Sequence, residues 1–150
     1  AMGSGGAAFS FSRNEKDAWS ERVAKEFGMT AKFHNCFLEE SEENEERSYQ
    51  VDGTCLGPRR IKVEGRDFDT IDNLLRDQGP LSCHLKLDTE LTGWAVLEQL
   101  LADPNITRRV RTLDLRVVIG GKSIAELPTQ LSMPEQQRLR RDVEVLEALQ

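Results

Sequence analysis

The sequence predicts an α/β domain built on a doubly wound, mostly parallel sheet. Short apolar segments with strand composition alternate along the chain with amphipathic helical segments. That alternation is typical of parallel sheets covered by helices on both faces. The chain has 150 residues, of which 38% are hydrophobic, and this length suits one domain with one core. The order of elements corresponds to half or more of a doubly wound fold.

The single domain is expected to cover residues 7–150. Residues 1–6 have the composition of a cloning remnant and are left out of the fold prediction. The stretch 39–47 is expected to form an acidic loop, because six glutamates and no apolar residue fall between positions 39 and 46.

The strands are assigned from short runs of apolar and β-branched residues bounded by turn residues. Gly57-Pro58 closes the third strand, and Gly79-Pro80 precedes the fourth. The predicted strands cover residues 7–12, 30–37, 49–56, 81–87 and 112–119, with a small extra strand at 61–63.

The helices are assigned from apolar residues at three- and four-residue spacing and from their end signals. Asn14 is the expected N-cap of the first helix and Gly28 its C-terminal stop. Ser132 is expected to begin the last helix with a capping box. The residues expected to face the core are Trp19, Val23, Phe27, Ile71, Leu74, Leu75, Trp94, Leu97, Leu100, Leu101, Leu139, Val143, Leu146 and Leu149.

Composition narrows the class of function. The net charge of −6 argues against a general nucleic-acid binder. No run of about 18 apolar residues is present, so no membrane contact is expected. Arginines concentrate in the carboxyl-terminal half, where either a solvated surface or a basic face would explain them.

The three cysteines Cys36, Cys55 and Cys83 lack metal-ligand spacing, and no metal is expected. Their odd number favours reduced thiols in an intracellular, cytoplasmic protein. A disulfide between two of them in a secretory compartment is the alternative.

The segment from Leu85 to Leu97 carries the main candidate for chemistry. It is expected to be a buried strand, an acidic turn with Asp88 and Glu90, and the first turns of a helix. Open α/β sheets bind their ligands at the carboxyl ends of the strands, which favours a role for this acidic pair in catalysis. Alternatively, the two acids cap the helix that begins near Gly93, where negative charge suits the helix dipole.

Five pieces of the chain, taken in order, resemble one family of S-adenosylmethionine-dependent methyltransferases, the FkbM and methyltransferase-like group. They are Phe9-Ser10-Phe11-Ser12 with Trp19 and the helix to Gly28 (YSFG…WSFE…GC in the family), Tyr49 to Gly57 (a strand ending in CLG), Phe68 to Leu75 (FxTLDxLL), Leu85 to Leu97 (LKIDIEGAEWEVL), and Leu139 to Leu149 (LxxLxxLE).

The resemblance implies a Rossmann-like methyltransferase fold that binds S-adenosylmethionine. Such a fold normally continues with two more strands, so the sheet is expected to be truncated after its fifth strand and the final helix. One sheet edge is then left open unless a partner or further residues cover it. Phe11 and Ser12 then stand at the turn after the first strand, where the cofactor would lie, and His34 and Asn35 stand at the end of the second. Asp88 and Glu90 fall on the positions implied to orient or deprotonate the acceptor, which in this family is a small molecule or a sugar.

This chain departs from the family at three places. The turn Ser12-Arg13-Asn14-Glu15-Lys16 has no glycine, which would let backbone approach the cofactor. His34-Asn35-Cys36 replaces the acid that binds the ribose hydroxyls, and Leu115-Arg116-Val117-Val118 replaces the family's Glu-x-His.

Two hypotheses are therefore preferred to a third, a different nucleotide-binding α/β domain, for which the GxGxxG and Walker patterns are missing. In the first, the domain is a degenerate methyltransferase that acts as an interaction module, with a protein partner or a homodimer held through the open sheet edge or the arginine-rich helices. In the second, it is an active S-adenosylmethionine-dependent methyltransferase.

Overall fold

The computed structural model describes residues 6–38, 46–88, 90, 93–119 and 135–149. Within these ranges the main sheet has five strands, and a smaller sheet of three strands lies beside it. The elements in chain order are β1 (Ala7–Phe11), α1 (Ala18–Phe27), β2 (Thr30–His34), β3 (Gln50–Asp52), β4 (Cys55–Leu56), β5 (Ile61–Val63), β6 (Arg66–Asp69), α2 (Ile71–Leu74), β7 (Cys83–Asp88), α3 (Trp94–Ala102), α4 (Pro104–Thr107), β8 (Val110–Arg116) and α5 (Glu135–Ala148).

The main sheet has the order β3-β2-β1-β7-β8, and every neighbouring pair is parallel. The chain builds outward from β1 through β2 to β3, and then returns to the other side of β1 for β7 and β8. The carboxyl ends of β1 and β7 therefore form a topological switch point, the place where doubly wound sheets bind ligands. The predicted α/β class with a parallel sheet is confirmed.

The predicted third strand is in fact two strands in two sheets. β3 belongs to the main sheet, whereas β4 pairs with β6 in the small one. The break lies at Gly53-Thr54, where the Thr54 N–H donates to the Asp52 carboxylate over 2.9 Å and turns the chain.

The small sheet also contains a hairpin that sequence reasoning missed. β5 was predicted, but its antiparallel partner β6 was not. Glu64 and Gly65 connect them with φ of 50° and 77°, as a two-residue hairpin turn of the I′ type requires.

The two faces of the main sheet have separate cores. On one face, Phe9, Phe11, Leu85 and Leu87 pack in a cluster that includes residues of α3 and α5. On the other, Ala8, Val23, Ala31, Phe33 and Tyr49 form a smaller cluster beneath α1. Trp94, predicted to be core, is 1% exposed, and its indole Nε1 donates to the Val118 carbonyl over 3.1 Å.

The start of α1 differs from the prediction. Asp17 rather than Asn14 is the N-cap, and its carboxylate accepts the Ser20 N–H over 3.1 Å. Gly28 ends the helix in the left-handed conformation, as predicted. Phe27, predicted to be buried, is 59% exposed because it lies in the last turn, beyond the edge of the core cluster.

The buried face of α5 also differs. Leu139 and Val143 were predicted to face the core but are 49% and 42% exposed. The helix instead buries Asp142 and Val145, with Leu146 and Leu149 packed beside them. Those positions follow the i, i+3, i+4 and i+7 spacing of a buried helix face. The prediction missed this face because one of its residues, Asp142, is an acid. The guanidinium of Arg141 compensates that acid, with Nη2 2.8 Å from its carboxylate. The predicted start at Ser132 and most of the acidic stretch 39–47 lie outside the described residues.

Candidate functional site

The predicted site residues all fall at the carboxyl edge of the main sheet, but in two separate groups. Phe11, Ser12 and His34 surround one small gap. Asp88 and Glu90 lie at the end of β7, beside the end of β8. Asn35 ties the turn after β1 to the end of β2.

The turn after β1 is held by its own side chains. Ser12 Oγ accepts the Asn14 N–H over 3.2 Å. The Asn35 amide donates to the Asn14 carbonyl over 3.0 Å and accepts the Phe37 N–H over 2.9 Å. Asn35 is 1% exposed. The polar groups expected to face a cofactor therefore hydrogen-bond to the protein backbone.

His34 lies in an apolar setting at the end of β2. Its ring stacks on Phe11 with centroids 4.9 Å apart. Nδ1 is 3.2 Å from the Thr54 carbonyl, which can only accept, so the proton belongs on Nδ1 and Nε2 is left as an acceptor. Among the described residues Nε2 has no hydrogen-bond partner. Burial lowers the pKa of His34, so the side chain is neutral at pH 7.

The gap beside His34 is nearly filled. Its lining includes Phe11, Arg13, Phe37 and Cys55, and its volume is about 10 Å³, which is room for about one water molecule. The guanidinium carbons of Arg13 and Arg66 lie 4.8 and 4.5 Å from the centre of the Phe37 ring, at cation–π distance. Both arginines therefore hold Phe37 in place over the gap.

A disulfide lies beside the same gap. Cys36, just after β2, is bonded to Cys55 in β4, so the expectation of reduced thiols is wrong for this pair and the bonded alternative holds. Cys83 is a free, buried thiol whose pKa is raised by burial. The bond links the end of the main sheet to the small sheet, and the intracellular location stays a prediction.

The acidic pair Asp88 and Glu90 at the end of β7 lies beside the guanidinium of Arg116. Asp88 and Arg116 are register partners across β7 and β8, and Arg116 Nη1 lies 3.2 Å from the Asp88 carboxylate. Arg116 Nη2 is 4.0 Å from the carboxylate of Glu90, whose N–H donates to Asp88. Asp88 is 8% exposed and Glu90 53%.

Arg116 was missed as a site residue. It had been noted only as a departure from the family's pattern. Parallel pairing of the two strand ends places it next to Asp88, so the order of the strands was the available signal.

A larger cavity of about 520 Å³ lies farther along the edge, at the ends of β2 and β3. Asn35, Cys36, Arg47, Tyr49 and Gly53 line it. Its size falls within the usual range for small-molecule pockets, about 300–1,000 Å³.

Comparison with known proteins gives no relatives: no family model, no curated protein and no solved structure matches the chain. Within the described part of the chain, no three histidine, cysteine or acidic side chains are placed to hold a metal ion. None of the described helices has the length and apolar character needed to span a bilayer.

Proposed function

We propose that this chain is a methyltransferase-like domain with a degenerate S-adenosylmethionine site, acting as a non-catalytic or weakly active interaction module. The observation that carries the proposal is the gap at the ends of β1 and β2. Its volume of about 10 Å³ is far below the size of a pocket that holds a nucleoside-sized ligand.

Three further features support the proposal. The turn after β1 lacks glycine and is fastened by Asn35. Neutral, buried His34 stands where a carboxylate would accept hydrogen bonds from the ribose. Arg116 neutralises Asp88, which would have to accept a proton or orient the acceptor. The residues present do not fit the cofactor in its usual position.

The partner of such a module is proposed to be a protein. The net charge of −6 disfavours nucleic acid. β8 pairs on one side with β7, and no other described strand pairs with it, so its outer edge carries backbone donors and acceptors that another strand can use.

The second candidate is an active methyltransferase for a small-molecule or sugar acceptor. The cavity of about 520 Å³ at the ends of β2 and β3 favours it, as does the position of Asp88 beside the switch point. In that case the nucleoside would lie against Asn35 and Gly53, and Asp88 or Glu90 would orient the acceptor.

Calorimetric titration with S-adenosylmethionine and S-adenosylhomocysteine separates the two candidates. The proposal expects binding of either compound to be absent or no tighter than millimolar. Micromolar binding that is lost in Asp88→Ala and kept in Asp67→Ala would overturn it. Asp67 is the matched control because its side chain is 62% exposed in the hairpin of the small sheet.

A further inference from the structure

The Cys36–Cys55 disulfide lies at a junction between the two sheets. Cys36 directly follows β2 of the main sheet, and Cys55 begins β4 of the small sheet. Both residues are half-buried. The core clusters formed by the described residues include Cys83 but neither of the bonded cysteines. Breaking the bond therefore leaves the packing of both cores in place, so a reductant can act on the folded domain.

The two bonded cysteines differ in their surroundings. Cys36 lines the cavity of about 520 Å³ at the ends of β2 and β3, which is large enough to admit a small thiol compound. Cys55 lines the gap beside His34, whose volume is about 10 Å³. A thiolate breaks a disulfide by attacking one sulfur and expelling the other, and the rate depends on access to the sulfur that is attacked. Attack is therefore expected at Cys36.

The sulfur of Cys55 is well placed to leave as a thiolate. The backbone N–H of Cys36 donates to Cys55 Sγ over 2.9 Å, and Arg13 lines the same gap as Cys55. A nearby N–H donor and a nearby guanidinium both stabilise the negative charge that a departing sulfur acquires. A stabilised thiolate leaves faster, so access and leaving group favour the same direction of attack.

The disulfide also restrains the residue that covers the gap. Phe37 directly follows Cys36, and its N–H donates to the Asn35 side chain over 2.9 Å. The guanidiniums of Arg13 and Arg66 contact its ring, but cation–π contacts are weak where water reaches them. Once the disulfide is broken, these contacts are what the described residues offer to keep Phe37 in place.

We propose that the Cys36–Cys55 bond is a redox-sensitive cross-link that keeps the gap beside His34 closed, and that a dithiol reduces it in the folded protein by attack on Cys36. Phe37 can then move off the gap. The imidazole of His34, whose Nε2 has no hydrogen-bond partner among the described residues, becomes open to a ligand that donates a hydrogen bond. This inference goes beyond the proposed function and does not depend on it, because it concerns the covalent state of the site.

The exchange takes two steps. A thiolate of the dithiol attacks Cys36 Sγ, the bond to Cys55 breaks, and Cys55 leaves as a thiolate that takes up a proton. The second thiolate of the dithiol attacks the dithiol's own sulfur in the mixed disulfide, and Cys36 leaves in the same way. The protein disulfide gains two electrons and two protons, and the dithiol is oxidised to a disulfide.

Native-state reduction of the natural chain tests the accessibility of the bond. The folded chain is treated with dithiothreitol and iodoacetamide in native buffer and in urea below the unfolding transition, and the alkylated cysteines are counted by mass spectrometry. Cys83 is 0% exposed in the core and reports global unfolding. Cys36 and Cys55 are expected to be alkylated well before Cys83, at a rate that low urea does not change. Alkylation of all three cysteines at one common rate would overturn the inference.

A monothiol tests the direction of attack. Glutathione stops the exchange at the mixed disulfide, and alkylation then traps the cysteine that was expelled. Peptide mass spectrometry is expected to find glutathione on Cys36 and the alkyl group on Cys55. The reverse placement would overturn the assignment of Cys36 as the attacked sulfur.

Amide hydrogen exchange tests whether the gap opens. Exchange at residues 36–38 is expected to rise about tenfold or more on reduction, while exchange in β1 stays unchanged. Cys36→Ser/Cys55→Ser is the matched control, because it should show the faster exchange with and without reductant. Equal exchange at residues 36–38 in the oxidised and reduced natural chain would show that the bond does not keep the gap closed, and would overturn the inference.

Discussion

The imidazole of His34 stacks on the ring of Phe11, with their planes inclined by 18°. The same imidazole lies 3.7 Å from the Asp52 carboxylate, yet its side chain is only 2% exposed. Burial is the larger influence, and it lowers the pKa of His34 below its ordinary value of 6.5. An uncharged, buried ring therefore stands at the end of β2.

His34 is expected to make the domain less stable in acid. The unfolded chain binds a proton at His34 near pH 6.5, whereas the folded chain binds it only at lower pH. Between those two pKa values the unfolded state holds more protons, so the free energy of unfolding falls as pH falls, by up to about 1.4 kcal/mol per pH unit. Above the pKa of His34 in the unfolded chain, the ring is neutral in both states. The free energy of unfolding then no longer changes with pH through this residue.

Urea unfolding across that pH range checks this. His34→Gln should remove the part of the slope that comes from His34. His84→Gln, at a side chain 2.7 Å from the Thr112 hydroxyl, is the matched histidine replacement. An unchanged slope in His34→Gln would contradict the prediction.

The two N-cap aspartates should differ in their contribution to stability. Asp17 is 1% exposed, caps α1 and lies 3.2 Å from the Lys86 ammonium. Asp103 caps α4 through the Asn105 N–H in an exposed setting. Asp17→Ala removes both a cap and a partner of a half-buried charge, so it should cost about 3 kcal/mol. Asp103→Ala should cost about 1 kcal/mol. The free energies of unfolding in urea measure the difference, and equal costs would show that the ion pair adds nothing.

Two glycines with open surroundings should respond differently to alanine. A Cβ at Gly65 or at Gly53 would meet nothing within 4 Å, but Gly65 has φ of 77°. Alanine in the left-handed region costs roughly 1–2 kcal/mol, so Gly65→Ala should destabilise the β5–β6 hairpin by that amount. Gly53→Ala should change stability by less than about 1 kcal/mol. Thermal unfolding followed by circular dichroism compares them; a neutral Gly65→Ala would contradict the backbone argument.

Breaking the Cys36–Cys55 disulfide should destabilise the domain. The bond joins residues 19 apart, and closing a loop of that length stabilises by about 3 kcal/mol. Reductant should therefore lower the denaturation midpoint of the natural chain but not that of the double serine variant. Alkylation of the oxidised chain in guanidinium should modify Cys83 alone, and modification of all three cysteines would disprove the bond.

Local sequence patterns were sufficient for four of the five described strands of the main sheet and for most of the described helices. β1, β2, β7 and β8 are short segments with apolar residues on at least one face, and that pattern predicts strands. The β5–β6 hairpin was missed because Glu64-Gly65 is a weak turn signal between short strands. Leu139 and Val143 were misplaced because α5 presents two neighbouring apolar stripes, and the one that is buried contains Asp142.

The sequence predicted that the candidate residues lie at the carboxyl edge of the sheet, but not which side chains contact each other there. The carboxyl ends of parallel strands meet at one edge, so the residues at those ends could be listed in advance. Whether they leave room for a ligand depends on contacts between distant segments. Phe37 lies over the gap because Arg66, from the small sheet, reaches its ring, and no local pattern encodes that approach.

The central position of β1 constrains how the domain can be made. β1 is synthesised before the other strands of this sheet, but its backbone pairs with β2 on one side and with the much later β7 on the other, Ala7 lying opposite Cys83. A nascent chain leaving the ribosome therefore holds the middle strand of its sheet with one side unpaired until Asp88 has emerged. Such long-range parallel pairing is slow to form, so the window between β2 and β7 is when a chaperone would protect this domain from aggregation.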